Sequence, residues 1–293
     1  MRFRVRSWNC FGLGQGAFDV ITAWRAPVPA RLGHTHVHDT CAAADVLCVQ
    51  ELLSHHAQQF FDRVGGKVFV SRHRDHNRPA VWPPSFRGSG LGMASRMHLA
   101  RPNVWAFRTG GAGLDRLARK GAMHAQIVLE RGPVVDILST HLQAGDRQDA
   151  VRVREGQLRE LSVLITTLGS PERPFIVCGD FNIDGLMSAR KTQEYRRLIQ
   201  AFEVFEDLGA VADLPTFEPH PAGNTLAHAY EPFGRKRRLD YVFFRHAAGD
   251  RLKLKHTVVE RLFDQPLSTV VATTKTFASD HFGLCASFEY EPR

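Results

Sequence analysis

A chain of 293 residues, 43% of them apolar, is long enough to bury a substantial core as one large domain or two small ones. Its 38 Lys and Arg against 30 Asp and Glu leave a formal charge of +8, which favours nucleic acid, anionic lipid surfaces or phosphate esters as partners, although a scattered excess on an ordinary basic protein gives the same sum. Five cysteines without a C-x-x-C spacing weigh against a disulfide framework or zinc site, and no stretch approaches the ~18 uninterrupted apolar residues of a transmembrane helix.

The N-terminal "MRFRVRSWNCFG" has no apolar run of the signal-peptide kind. With the cysteine usage, this leads us to expect a reducing, cytoplasmic location, while a secreted protein with its leader removed would read the same. "RFRVRSWN" alternates polar and apolar residues, as a half-buried strand does. "HTHVHD" carries His34, His36 and His38 at alternate positions; a strand would present them on one side, but a solvated loop or edge is the plainer expectation. "ADVLCVQEL" is continuously apolar, the mark of a strand covered on both faces. "SHHAQQFFDRVGG" reads as a short helix opened by surface residues His55 and His56 and closed by Gly65 and Gly66.

"RHRDHNRPAVWPPSFRGSG" reads as a polar, Pro-rich loop, and "GLGMASR", "GAMHAQIVLE" and "VVDILSTHLQ" as strands. "RQDAVRVREGQLRELSVLITTL" places Val151, Leu158, Leu161, Ile165 and Leu168 on one helical face, with Gly169 as the stop. "PFIVCGDFN" is a second doubly covered strand. "SARKTQEYRRLIQAF" reads as a helix with Ser188 as its N-cap. "RLDYVFFR" and "FGLCASFEY" are strands, and "LFDQPLSTVVATTKTFASD" between them fits a hairpin or a loop. No repeat or linker divides the chain, so residues 1–293 are expected to form a single domain of mixed sheets with helices packed outside.

The chemistry gathers where strands end. Asn9 closes the first strand, and Gln50 and Glu51 close "CVQEL". His141 stands in "STHLQ", Asp180 and Asn182 in "CGDFN", Asp240 opens "DYVFF", and Asp280 and His281 stand in "SDHFG". Singly, each has a plainer use as a turn former, a cap or a hydrogen-bonded structural histidine. Together the types are complementary. Glu51, Asp280 and Asn9 offer the hard oxygen donors that suit Mg²⁺, with Mn²⁺ or Ca²⁺ as alternatives. Two histidines with an Asp partner suit proton transfer.

These residues also carry a resemblance. "WN" (8–9), "QE" (50–51), "STHL" (139–142), "GDFN" (179–182), "LDYVF" (239–243) and "SDH" (279–281) stand in the order found in the endonuclease/exonuclease/phosphatase superfamily. The resemblance implies a four-layer α/β sandwich, two packed mixed β-sheets flanked by helices, with the site at one end. "GSGLGMASR", "RKGAMHAQI", "STHLQAGD" and "PTFEPHPAGNTLA" are most similar to the neutral sphingomyelinase branch. The segment 262–279 departs from the secreted members of that branch: it has Leu262, Phe263 and Phe277 but no adjacent Trp-Phe pair at a turn.

What the resemblance implies is a Mg²⁺-dependent hydrolase of phosphate esters, a phosphodiesterase of sphingomyelinase or phospholipase C type. The alternative is a Mg²⁺-dependent nuclease, for which the cluster Arg235, Lys236, Arg237 and Arg238 would matter. A non-catalytic binding protein on the same fold is the weaker alternative, since no site residue is missing. In the catalytic reading, Glu51, Asn9 and Asp280 hold the metal, and His281 is the general base, oriented by Asp240. His141 faces it across the phosphate as acid or charged donor, and Asp180 and Asn182 position the water and a phosphoryl oxygen. The expected partner is a phosphodiester, either a phospholipid headgroup or a nucleic acid.

Overall fold

The computed structural model describes residues 1–13, 28–64, 69–72, 88–249, 254–268 and 276–291. In chain order its strands are β1 (Arg2–Asn9), β2 (Val46–Gln50), β3 (Phe69–Arg72), β4 (Gly92–Ser95), β5 (His98–Ala106) and β6 (Gly121–Val128), then β7 (Val134–His141), β8 (Phe175–Asp180), β9 (Glu206–Asp207), β10 (Asp240–Arg245), β11 (Lys255–Leu262) and β12 (Gly283–Glu289). The helices are α1 (Val28–Leu32), α2 (Thr35–Ala42), α3 (His55–Val64), α4 (Gln148–Leu168), α5 (Gln193–Ala201) and α6 (Thr225–Tyr230).

Two six-stranded sheets form, in the orders β11-β12-β1-β2-β4-β3 and β5-β6-β7-β8-β10-β9. Both are mixed: β1 runs parallel to β2, and β7 parallel to β8, while the other pairings are antiparallel. Helices α1 to α3 cover the first sheet, where Leu32, Val37 and Phe61 pack on Trp8 and Val49. Helices α4 and α5 cover the second, where Leu161 and Leu198 pack on Val177 and Phe243. The result is a four-layer α/β sandwich.

The period of two along a strand explains both the doubly apolar runs and the place of the polar residues. In β8, Ile176 and Cys178 enter the core between the sheets, while Phe175 and Val177 face the helices. In β2, Val46 and Cys48 face inward, and Leu47 and Val49 face outward. Continuing each strand to its end by the same alternation puts a polar residue on the inner face. Asp180 follows Cys178, His141 follows Ile137 and Ser139, and Asn9 follows Val5 and Ser7. Asp240 precedes Val242 and Phe244 in the same way. Cross-strand register aligns them, with Asp180 opposite both His141 and Asp240, and Asn9 opposite Gln50. One mouth of an apolar core is thereby lined with charge.

Several expectations are corrected here. Strands β5 and β11 lie at sheet edges with mostly exposed or half-buried side chains, and β5 contains a bulge, so neither carries an apolar run. Helix α5 starts at Gln193, capped by Thr192, whose hydroxyl accepts from the Tyr195 amide; Ser188 lies in a separate 3₁₀ turn, Met187–Ala189. His36 and His38 belong to helix α2 and His34 caps it, so the three do not share a face. His55 and His56 are exposed at the start of α3, as expected. Gly65 and Gly66, and most of the Pro-rich stretch, lie outside the described residues. In the segment 262–279, Leu267 and Thr276 form an antiparallel bridge, and the residues at its turn lie outside the described set. Phe263 and Phe277 are buried. The Arg235–Arg238 cluster divides. Arg238 is buried against Asp207, Arg237 is buried beside the cleft, and Arg235 and Lys236 are exposed. Among the described residues no helix is long and apolar enough to cross a membrane.

Candidate active site

The lined mouth opens into a cleft of about 620 Å³. Glu51, Lys120, His141, Asp180, Asn182, Asp280 and His281 reach its wall, and Asn9 and Asp240 are buried just behind them. The structure thus brings together every residue singled out for metal binding or catalysis.

Asp180 is the hub. Its Oδ2 accepts from Asn9 Nδ2 at 3.0 Å and lies 3.5 Å from His141 Nε2 and 3.8 Å from His281 Nε2. Its Oδ1 accepts from the backbone amide of Asn182 at 2.9 Å. Asn182 has φ 54°, a left-handed conformation that asparagine tolerates, and its Nδ2 donates to the Leu142 carbonyl. Gly179, with φ 140°, supplies the preceding bend; a Cβ there would stand 2.0 Å from the Thr140 carbonyl oxygen. That close approach is why the motif reads "CGD".

Asn9 Nδ2 also donates to Glu51 Oε1 at 3.1 Å, and its own Oδ1 accepts from the Phe11 amide. Asn9 therefore orients two carboxylates at once. Glu51 has φ 62°, an arrangement that costs a non-glycine residue roughly 1–3 kcal/mol, and its neighbour Leu52 is tied to the Gly90 carbonyl. Burial, and then the charge of Asp280, push the Glu51 carboxyl up to about 7. Asp180 rises to about 6, chiefly through burial, and Asp280 is raised for the same reason.

His281 and Asp240 form a buried pair, with Nδ1 2.8 Å from Oδ2. The amides of Leu239 and Asp240 donate to the Thr216 hydroxyl, and the His281 amide donates to Ser279 Oγ. Burial works against charge on His281, but Asp240 and Asp180 outweigh it and hold the imidazole well above its ordinary value. Phe217 packs on the ring at 5.2 Å between centroids. Ser279 Oγ donates to the Asn9 carbonyl at 2.6 Å, locking the loop that carries Asp280 and His281 to the end of β1.

The surroundings of His141 weigh against a charged-donor role. Its Nε2 stands 2.6 Å from Lys120 Nζ, which also lies 3.4 Å from Asp115. A lysine ammonium donates and never accepts, so Nε2 accepts and the ring is neutral. Burial, then Lys120 and His281, push the His141 pKa well below its ordinary value. The positive charge at this wall belongs to Lys120. Sequence reasoning missed Lys120 as a site residue, although a lysine directly before the wholly apolar opening of β6 was the available signal.

The donor chemistry fits a hard divalent cation. Glu51 Oε2 is buried without a hydrogen-bond partner, and Asp280 raises the cost of its charge. Oxygen donors predominate, and no thiol reaches the cleft wall among the described residues. Asp180, Asp240 and His281 also offer ligand atoms within 4.8 Å of one another, but the Asp240–His281 hydrogen bond already engages two of the three.

Architecture and site together define a four-layer sandwich protein with carboxylates, amides and two imidazoles gathered at one mouth of the inter-sheet core. Residues 7–281 match the profile of the endonuclease/exonuclease/phosphatase family, and the chain belongs to that family. Solved structures of similar fold include a magnesium-bound mutant of beta toxin from Staphylococcus aureus, 18% identical, covering 98% of this chain and 99% of that one with a TM-score of 0.74. Sphingomyelinase C from Streptomyces griseocarneus, 18% identical, covers the same shares with a TM-score of 0.72. TDP2 from D. rerio with a single-strand DNA product, 16% identical, covers 98% and 99% with a TM-score of 0.70. At these identities the likeness establishes the fold. No curated protein matches the chain by sequence.

Proposed function

We propose that the protein is a divalent-metal-dependent phosphodiesterase. The observation that carries this reading is the gathering of Glu51, Asp280, Asp180 and the Asp240–His281 pair in one cleft. Glu51 would hold the ion, with Asp280 beside it and Asn9 keeping the carboxylates in place; Mg²⁺ is the first choice because it needs few protein ligands. When bound, the ion supplies Lewis-acid neutralisation of charge on the phosphoryl group. His281 Nε2 takes the proton of the attacking water, and Asp240 fixes the tautomer that allows it. Lys120 offers positive charge to a non-bridging oxygen, and Asn182 a polar side chain at the cleft wall. His141, neutral and held by Lys120, orients that lysine.

For the substrate, we favour a phospholipid headgroup ester of the sphingomyelinase or phospholipase C kind. The cleft has an apolar wall of Phe11, Leu13, Leu53 and Tyr230, suited to what lies beyond a lipid phosphate. A nuclease is the second reading, favoured by exposed Arg116 and Arg147 on the rim. The test is a panel of sphingomyelin, lysophospholipids, plasmid DNA, an abasic-site duplex and inositol phosphates, each with Mg²⁺ and with chelator. Hydrolysis indifferent to chelator would overturn the metal assignment, and activity on DNA that weakens steeply with salt would establish the second reading.

A further inference from the structure

The ring of His281 makes one hydrogen bond among the described residues, from Nδ1 to Asp240, and a single such contact leaves an imidazole free to rock about it. What else touches the ring therefore decides where Nε2 points. Among the described residues one aromatic side chain packs on it, that of Phe217, at 5.2 Å between centroids. Phe217 lies between two short antiparallel pairings, with Arg237 on one side and His281 on the other. Residues paired directly across strands share a face, so the three side chains stand in one row. Both backbone bonds close the Arg237 pairing, at 2.9 and 3.0 Å, and on the other side the Phe282 amide donates to the Thr216 carbonyl at 2.7 Å. All three side chains are buried, and all three line the cleft.

Arg237 closes the row. Its guanidinium carbon lies 4.8 Å from the centre of the Phe217 ring. Nε is buried without a hydrogen-bond partner, as suits a guanidinium laid on a π face instead of an acceptor. The terminal nitrogens are tied to two separate elements. Nη2 donates to Glu231, just beyond α6, and Nη1 lies 3.3 Å from Asp146, on the loop that follows β7 and His141. These carboxylates cancel the charge of Arg237, which suits it poorly to an anionic substrate. They also fix its position, which suits a brace.

A second histidine shows what the row must supply. The His124 ring is packed by both Trp105 and Phe175, and Arg245 lies over Phe175 at 5.5 Å. Two rings hold that imidazole. His281 has one, so the residue behind that ring sets how far it can yield.

We propose that Arg237 is a positioning residue: packed on Phe217 and anchored by Glu231 and Asp146, it holds the His281 ring so that Nε2 stays aimed into the cleft. The consequence for turnover rests on the reading of His281 as the base; the row itself does not. Misaiming a proton acceptor slows the chemical step and leaves substrate binding intact.

The test follows both the ring and the reaction. Arg237→Met keeps an unbranched side chain but neither the cation nor its anchors, and Arg237→Lys keeps a cation. On a soluble chromogenic phosphodiester with Mg²⁺, Arg237→Met is expected to lose about tenfold or more in kcat at unchanged KM, with Arg237→Lys between it and the parent. Phe217→Leu should lose at least as much. The double variant Phe217→Leu, Arg237→Met should lose no more than Phe217→Leu alone, because both act through one contact. Glu231→Gln loosens one anchor at a half-buried position and should give a smaller loss in the same direction, even where Arg237→Met folds poorly. Relaxation dispersion of the His281 Cε1–H signal, identified by its absence from His281→Ala, should report new exchange in Arg237→Met and Glu231→Gln, and it needs no activity to be seen. A rise in KM with kcat intact, losses that multiply in the double variant, or a His281 signal unchanged in the variants each overturns the proposal. New exchange at His281 in a protein whose parent hydrolyses no phosphodiester leaves the brace standing and overturns the catalytic reading instead.

Discussion

Two buried histidine–aspartate pairs in this molecule have nearly the same geometry. His281 and Asp240 meet at 2.8 Å, and His124 and Asp136 at 2.9 Å. The second pair is closed on all sides. Asp136 Oδ1 also accepts from Gln126, and Oδ2 accepts from Arg173 at 2.7 Å, while the His124 ring lies among Trp105 and Phe175. The first pair is open: the free ring nitrogen of His281 looks past Asp180 into the cleft, and Asp240 Oδ1 is left without a hydrogen-bond partner. A hydrogen-bonded dyad is therefore not a catalytic feature in itself. Access for the second nitrogen, and a third group left unsatisfied, separate a site from a brace.

The sharpest way to break the comparison is to remove each histidine partner in turn. His281→Ala should lower turnover on a soluble phosphodiester by about 10²–10⁴, with circular dichroism and melting unchanged. Retention of the parent rate would end the assignment of the open pair to catalysis. Asp136→Asn should do the reverse, costing about 3–5 kcal/mol of stability in urea while sparing the rate per folded molecule.

The closed pair also has a pH signature. Burial pushes Asp136 up, but hydrogen bonds from His124 and Arg173 outweigh it and leave the carboxyl below 3.8 in the folded state. Its contribution is then fully present above the unfolded value of about 3.9 and is lost as pH falls through the lower folded value. Urea titrations should accordingly show the gap between parent and Asp136→Asn narrowing only in acid. A gap constant down to that range would remove the ionic part of the argument.

A smaller effect sharpens the open pair. A base must be neutral to act, and Asp240 holds His281 charged to higher pH, so the acid limb of kcat/KM should lie above 6.5. Asp240→Asn should move that limb down, besides slowing the reaction. The smallest change tests neither pair and serves as the background: Thr192→Ala removes a cap from α5 and should cost about 1 kcal/mol with no change in rate.

Much of the site was legible because of where its residues fall. Polar groups that end apolar strands at even spacing from core residues must share the inner face, as Asp180 does with Cys178 and His141 with Ile137. Alternation fixes the face of a strand but not its neighbours. Edge strands β5 and β11 were missed because their exposed side chains carry no core pattern. Lys120 was missed because its meaning depends on a partner, His141, 21 residues away on the next strand. The cap of α5 was misplaced because Ser188 and Thr192 are both competent hydroxyls, and only the intervening 3₁₀ turn decides between them.

One feature of the sheets bears on how the protein comes into being. β1 pairs with β12, and the first residue reaches Tyr290 at the far end of the chain. Asp280 and His281 are synthesised just before β12, and Asn9 stays unanchored by Ser279 until they arrive. The open pair and the edge that β1 needs are therefore brought together from sequence segments some 270 residues apart, so the site forms only when both ends of the first sheet have met.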